Sequence, residues 1–121
     1  MSTVNYTSVI VPPRNDQVHV YTWSAMANGD VGQALELPWF SDRTVQVYGT
    51  FGTGGKVTVQ GSLDGTNWAT LSDPLGNDLD ISNVTQSIAS VLELTRYIRP
   101  AVLNGDGSTS LTAMILVRLT A

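Results

Sequence analysis

The chain has 121 residues and a net charge of −4, and only 13% of its residues are charged, about half the share of an average soluble domain. One lysine and five arginines argue against a basic face for nucleic acid, and the absence of cysteine excludes disulfides and thiolate catalysis. No apolar run is long enough to cross a bilayer, and the start MSTVNYTS lacks the features of a secretory signal. We therefore expect one domain over residues 1–121, without membrane contact.

The N-terminal half predicts an extended segment followed by short strands. Residues 1–14 end in two prolines and Arg14 and predict an extended arm before the domain begins. Residues 18–23 alternate β-branched with aromatic side chains and predict a strand. Trp39 and Phe40 follow a proline in a predicted loop, and residues 44–63 predict a hairpin closed by the glycine-rich turn 52–55.

The C-terminal half continues the strand pattern. Residues 82–94 are predicted to be mostly extended or irregular, and Pro100 predicts an edge strand or a bulge in residues 97–103. A long closing strand points Leu111, Ala113, Ile115, Val117 and Leu119 inward. Short strands separated by Gly, Asn and Asp turns predict an all-β fold, an antiparallel β-sandwich in a single domain.

No catalytic, cofactor or metal site is expected. The single histidine, His19, lies within a strand and no nucleophile motif accompanies it, so we interpret it as a packing residue. The aspartates cluster in turns around residues 73–80 and 104–108, where they serve turn geometry first. Neither cluster has the spacing of a calcium loop.

The closing strand carries apolar side chains on both faces. Met114 and Leu116 alternate with the inward set and belong to the face that should meet water. Two interpretations stay open: loops wrap a closed sandwich, or a neighbouring subunit covers this face.

Two motifs support a resemblance. Residues 56–71 read KVTVQGSLDGTNWATL, in which Asp64 and Gly65 supply a tight turn and Trp68 is expected to cover the apolar face of the hairpin. Residues 95–103 read TRYIRPAVL. Together, in this order, they resemble small jelly-roll proteins of tailed-bacteriophage virions, particularly capsid decoration (cement) proteins. The resemblance covers about the C-terminal two-thirds of the chain.

The resemblance implies a non-enzymatic virion protein, made in the host cytoplasm, that binds the outside of a phage capsid. Its partners would be the phage major coat protein and copies of itself, a homotrimer being favoured over a homodimer. No catalytic residues follow from it. Discoidin-like carbohydrate-binding modules carry similar motifs, so a sugar-binding module of a tail or baseplate, with Trp39 as platform, is an alternative. A head–tail structural protein is another, and a glycan hydrolase comes last.

The candidate contacts with coat protein or with further copies are arginine, aromatic and aliphatic residues in the arm, the loop and the closing strand. They are Val9, Ile10, Val11, Arg14, Trp39, Phe40, Arg43, Met114 and Leu116.

Overall fold

The computed structural model describes residues 2–10, 18–36, 39–83 and 87–119, which form twelve strands. The first six are β1 (Thr3–Val4), β2 (Tyr6–Ile10), β3 (Val18–Met26), β4 (Val31–Gly32), β5 (Leu35–Glu36) and β6 (Asp42–Thr50). The others are β7 (Lys56–Ser62), β8 (Ala69–Thr70), β9 (Asp80–Ser82), β10 (Ile88–Ser90), β11 (Tyr97–Asn104) and β12 (Ser110–Arg118).

The strands form two packed sheets. One has seven strands in the order β1-β4-β11-β7-β8, with β5 paired to β11 and β9 paired to β7. The other has five strands in the order β10-β6-β12-β3-β2. Every pairing is antiparallel except β1 with β4. The predicted all-β sandwich is confirmed.

The core lies between the sheets and follows the period-two alternation. Leu111, Ala113, Ile115 and Val117 of β12 are fully buried, as predicted, and Leu119 packs at the edge of the core. Trp23 of β3 is also fully buried, and its indole nitrogen donates to the Gln33 carbonyl over 3.1 Å. Burying each large apolar side chain contributes about 1.5–3 kcal/mol, so this alternation supplies much of the driving force for folding.

The N-terminal segment is part of the sandwich. Residues 3–10, predicted as an arm, form β1 and β2 instead: β1 pairs with β4 in one sheet, and β2 pairs with β3 in the other. Tyr6 packs edge-on against Tyr21 and Trp23. Burial of this tyrosine against the core explains why the segment docks. Residues 11–14 lie outside the described residues.

The predicted hairpin over residues 44–63 is wrong. β6 belongs to the five-stranded sheet and β7 to the seven-stranded sheet, so the turn between them crosses the sandwich. Strands of both sheets point alternate apolar residues at the same core, and the sequence pattern therefore looks the same for a hairpin and for a crossover. The next connection is a true hairpin: β8 pairs with β7, and Gly65 in the turn has a φ of 80°.

Pro100 lies in an interior strand and not at an edge. It pairs with Val59 of β7, while on its other side β11 meets β5 through Ile98 and β4 through Ala101. Pro100 falls between these two short strands, where a missing N–H interrupts neither ladder. Gly32 permits the close approach, since a Cβ there would lie 2.7 Å from the proline ring. The register with β7 does shift between Ala101 and Asn104, as a bulge requires.

Candidate functional site

The outward side of the five-stranded sheet is apolar. Cross-strand pairing aligns Val9 of β2, Val20 of β3 and Leu116 of β12 in one row, and the neighbouring row contains Met114 and Ile88. Val9 and Leu116 are 58% and 37% exposed. We call the six side chains that share this side the five-strand outer face: Val9, Val20, Tyr48, Ile88, Met114 and Leu116.

This face carries almost no charge. Among its described residues, the only ionised side chains are Asp42 and Arg118, which form an ion pair with each other at one end of β6 and β12. A shallow groove of about 260 Å³ runs between Ile88 and the β12 side chains, floored by Thr44 and Gln46. A sheet face that meets only water is normally polar, and the described part of this face is not.

The second apolar surface is one end of the sandwich. Trp39, Leu63, Leu92 and Leu94 project from three loops there and are 52–71% exposed; we call this surface the loop end. The Arg43 guanidinium joins the loops: its Nε donates to the Phe40 carbonyl over 2.9 Å and its Nη2 donates to the Thr95 carbonyl over 2.9 Å. Hydrogen bonds of Arg43 therefore connect the loop that carries Trp39 with the segment that carries Leu92 and Leu94.

Phe40 and Arg43 are internal, which corrects their assignment as contact residues. Phe40 is 5% exposed and packs edge-on against His19, and Arg43 is 3% exposed. Burial lowers the pKa of the Arg43 guanidinium. The inward alternation of β6 places Arg43 on the core side, with Val45 and Val47. The guanidinium N–H groups of Arg43 donate to carbonyls of the loops.

The opposite end of the sandwich is polar, and its carboxylates accept hydrogen bonds from backbone N–H groups at that end. The Asp106 carboxylate accepts hydrogen bonds from the backbone of Thr53 over 2.8 Å and of Ser108 over 2.9 Å. These bonds hold its pKa well below the usual range. Asp30 caps the neighbouring turn by accepting from the Ala27 N–H over 2.9 Å, which lowers its pKa in the same way. The aspartates here act as turn caps.

The outward side of the seven-stranded sheet carries an aromatic and cationic cluster. The Arg99 guanidinium lies 3.9 Å from the centre of the Trp68 ring, and its Nε donates to Oε1 of Gln60 over 2.9 Å. Tyr97 packs against Trp68, and Arg96 stands over Tyr97 while paired with Glu36 at 2.7 Å. Trp68 thus stacks with Arg99 on the outer side, and the expectation that it covers an apolar hairpin face is wrong.

The remaining predicted contacts divide between the two apolar surfaces. Val9, Met114 and Leu116 belong to the five-strand outer face, while Trp39 stands at the loop end and Ile10 ends β2 beside it. Val11 and Arg14 lie outside the described residues.

Several members of these surfaces were not predicted from the sequence: Tyr48, Leu63, Ile88, Leu92 and Leu94. Leucines in a segment without clear alternation, residues 91–95, are a signal that could have identified Leu92 and Leu94.

His19 is a packing residue in the described structure. Its ring stacks near Tyr21 at 6.1 Å and meets Phe40 edge-on at 5.4 Å. Across residues 2–10, 18–36, 39–83 and 87–119, no three His, Asp or Glu side chains come together as metal ligands. The same residues include no helix with the length and apolarity needed to span a membrane.

No protein-family model matches the chain, and no curated protein matches it significantly.

Proposed function

We propose that this chain is a non-enzymatic structural protein of a phage virion, which binds the outside of the capsid as an oligomer and stabilises contacts between coat subunits. One observation carries the proposal: apart from Leu75 and Leu103, the exposed large apolar side chains lie on the five-strand outer face or at, or beside, the loop end. Contiguous apolar surface of this kind marks protein association.

The five-strand outer face and the loop end fit contacts with two different partners. Three of the five strands are about 30 Å long and β2 and β10 are shorter, so at a spacing of about 4.8 Å they offer an area of roughly 570 Å², close to the ~600 Å² per partner at the lower end of stable interfaces. We assign this nearly uncharged face to association with further copies of the chain, because homo-oligomer interfaces are the most apolar.

The loop end then meets the coat protein. Trp39 is the expected anchor, since tryptophan is enriched among residues that dominate binding energy, and Leu63, Leu92 and Leu94 surround it. Several copies in one oligomer would each present a loop end, so modest single contacts add through effective concentration. Clamping of adjacent coat subunits follows from this multivalency.

The test is occupancy of the chain on capsids assembled from the coat protein of the same phage. We expect the double variant Trp39→Ser, Leu63→Ser to lower occupancy at least tenfold, because about 1.4 kcal/mol corresponds to each factor of ten and truncation of an anchor costs 2 kcal/mol or more.

The matched control is Leu75→Ser, which removes a leucine that is 87% exposed in the loop between β8 and β9 and belongs to neither apolar surface. It should decorate capsids like the wild type. Full occupancy of the double variant would contradict the assignment of the loop end, and absence of wild-type binding would contradict the proposed function itself.

A further inference from the structure

We infer that the outer side of the seven-stranded sheet contains a binding site for the carboxylate of an acidic saccharide, centred on Arg99. None of its residues belongs to either apolar surface, and it goes beyond the proposed capsid contact. The inference rests on how Arg99 is held, on which of its donors remain, and on the shape of the surface around it.

Arg99 is fixed by two contacts. Its guanidinium stacks on the Trp68 ring at 3.9 Å, and its Nε donates to Gln60 over 2.9 Å. A stacked and tethered guanidinium has already lost most of its rotamer freedom, so a ligand that binds it meets a smaller entropic cost. Partial burial lowers the pKa of Arg99.

The two terminal nitrogens of Arg99 are still available. Its one hydrogen bond within the described chain uses Nε, and the two ion pairs found there belong to Arg96 and Arg118. Nη1 and Nη2 form the fork that matches the two oxygens of a carboxylate.

Gln60 adds a donor next to the fork. A guanidinium only donates, so Gln60 must present Oε1 to Arg99, and its amide NH2 is left to donate elsewhere. Thr70, which pairs with Gln60 in the same cross-strand row, brings an exposed hydroxyl. The site therefore offers a charged fork with amide and hydroxyl groups beside it.

The surface favours a saccharide over a peptide. β11 and β7 are interior strands and the edge strand β8 has only two residues, so an acidic peptide has little edge to extend. The outer side here is a flat sheet face with the Trp68 and Tyr97 rings at its margin. A compact sugar ring bearing a carboxylate, such as a uronic acid, fits such a face.

The experiment is a titration followed by backbone amide NMR, which also reports whether each variant is folded. The probes are methyl glucuronide and methyl glucoside, which differ only in the carboxylate. We expect shifts in residues 58–62 and 97–101 with the glucuronide, and binding of the glucoside at least tenfold weaker, as loss of a charge-assisted pair requires.

Arg99→Lys keeps the charge but removes the fork, and should weaken glucuronide binding about tenfold. Arg96→Gln removes a neighbouring cation already paired with Glu36, and should leave binding unchanged. Capsid occupancy of both variants should equal that of the wild type, so failure here is distinguishable from failure of the proposed function.

Three results would overturn the inference: no shifts with glucuronide at millimolar concentration, equal binding of the neutral glucoside, or equal weakening by Arg96→Gln. If a glutamate-rich peptide bound more tightly than the glucuronide, the ligand of this site would be a protein and not a saccharide.

Discussion

The guanidinium of Arg43 connects the loop that carries Phe40 to the segment that carries Thr95. An arginine among polar residues near an exposed tryptophan has the composition of an interface rim, and only its place in the strand alternation reveals that it points inward. Its Nη1 also approaches the Thr95 hydroxyl at 3.3 Å. The residue is therefore a structural support for the loop end.

We predict that Arg43→Met lowers the free energy of unfolding by about 2–3 kcal/mol, because the substitution takes a hydrogen-bond donor from the buried Phe40 carbonyl and another from the partly buried Thr95 carbonyl. Urea denaturation measures the change. The control is Arg118→Met, whose arginine forms an exposed pair with Asp42, and which should cost less than about 1 kcal/mol. Equal destabilisation by the two substitutions would show that Arg43 does not support the loops.

Two loops at the polar end, residues 51–55 and 105–109, are held together mainly by Asp106 and Thr109. The Thr109 hydroxyl donates to the Phe51 carbonyl over 2.8 Å, and Asp106 accepts from the Thr53 N–H. The first loop carries the chain from one sheet to the other, so the carboxylate fixes the crossover. The loop between β6 and β7 is therefore held by a titratable group, the Asp106 carboxylate.

We predict that stability at the polar end falls in acid. Hydrogen bonds to the carboxylate lower the folded-state pKa of Asp106, so its contribution is complete above the unfolded value of about 3.9 and is lost as the pH falls below it. Asp106→Asn should therefore show a smaller loss of unfolding free energy than the wild type between pH 5 and pH 2, measured in urea.

The control for this substitution is Asp78→Asn, since the Asp78 carboxylate accepts no hydrogen bond within the described residues. It should keep the acid sensitivity of the wild type. An unchanged pH dependence in Asp106→Asn would contradict the assigned role.

Period-two alternation gave the fold class and the inward face of β12, because burial of one strand face is a local property of the sequence. Which strands pair with each other depends on residues that are distant in sequence. β6 and β7 adjoin in sequence yet lie in different sheets, and β11 tolerates Pro100 because two short strands meet on either side of it.

The residues of the candidate site also divide into those that local alternation predicts and those that come together only through strand pairing. Met114 and Leu116 were found from the alternation of one strand, whereas the loop end joins residues that are distant in sequence. Arg99 and Trp68 meet only because β8 folds back beside β7.

The scarcity of charge belongs to the whole molecule. With 13% charged residues, the chain cannot cover both sheet faces with mixed charges, as a free monomer normally does. Among the described residues the charges are distributed unevenly: the outer side of the seven-stranded sheet carries Arg99 as well as the Arg96–Glu36 ion pair, whereas the five-strand outer face carries Asp42 and Arg118 alone, paired at its end. The uncharged face is therefore the surface that we assign to self-association.

We predict that the purified chain is an oligomer, a homotrimer in preference to a homodimer, and that Leu116→Glu converts it to a monomer. A glutamate within a contact between apolar faces would be buried without a cation of its own, since the neighbouring Arg118 is already paired with Asp42, at a cost larger than a typical hot-spot contact provides. Light scattering coupled to size-exclusion chromatography measures the mass. Leu103→Glu, which adds the same charge at a leucine of β11 in the other sheet, 48% exposed, should keep the wild-type mass. A monomeric wild type at micromolar concentration, or an unchanged mass for Leu116→Glu, would contradict self-association through this face, and the loop end would then have to bind capsids without multivalency.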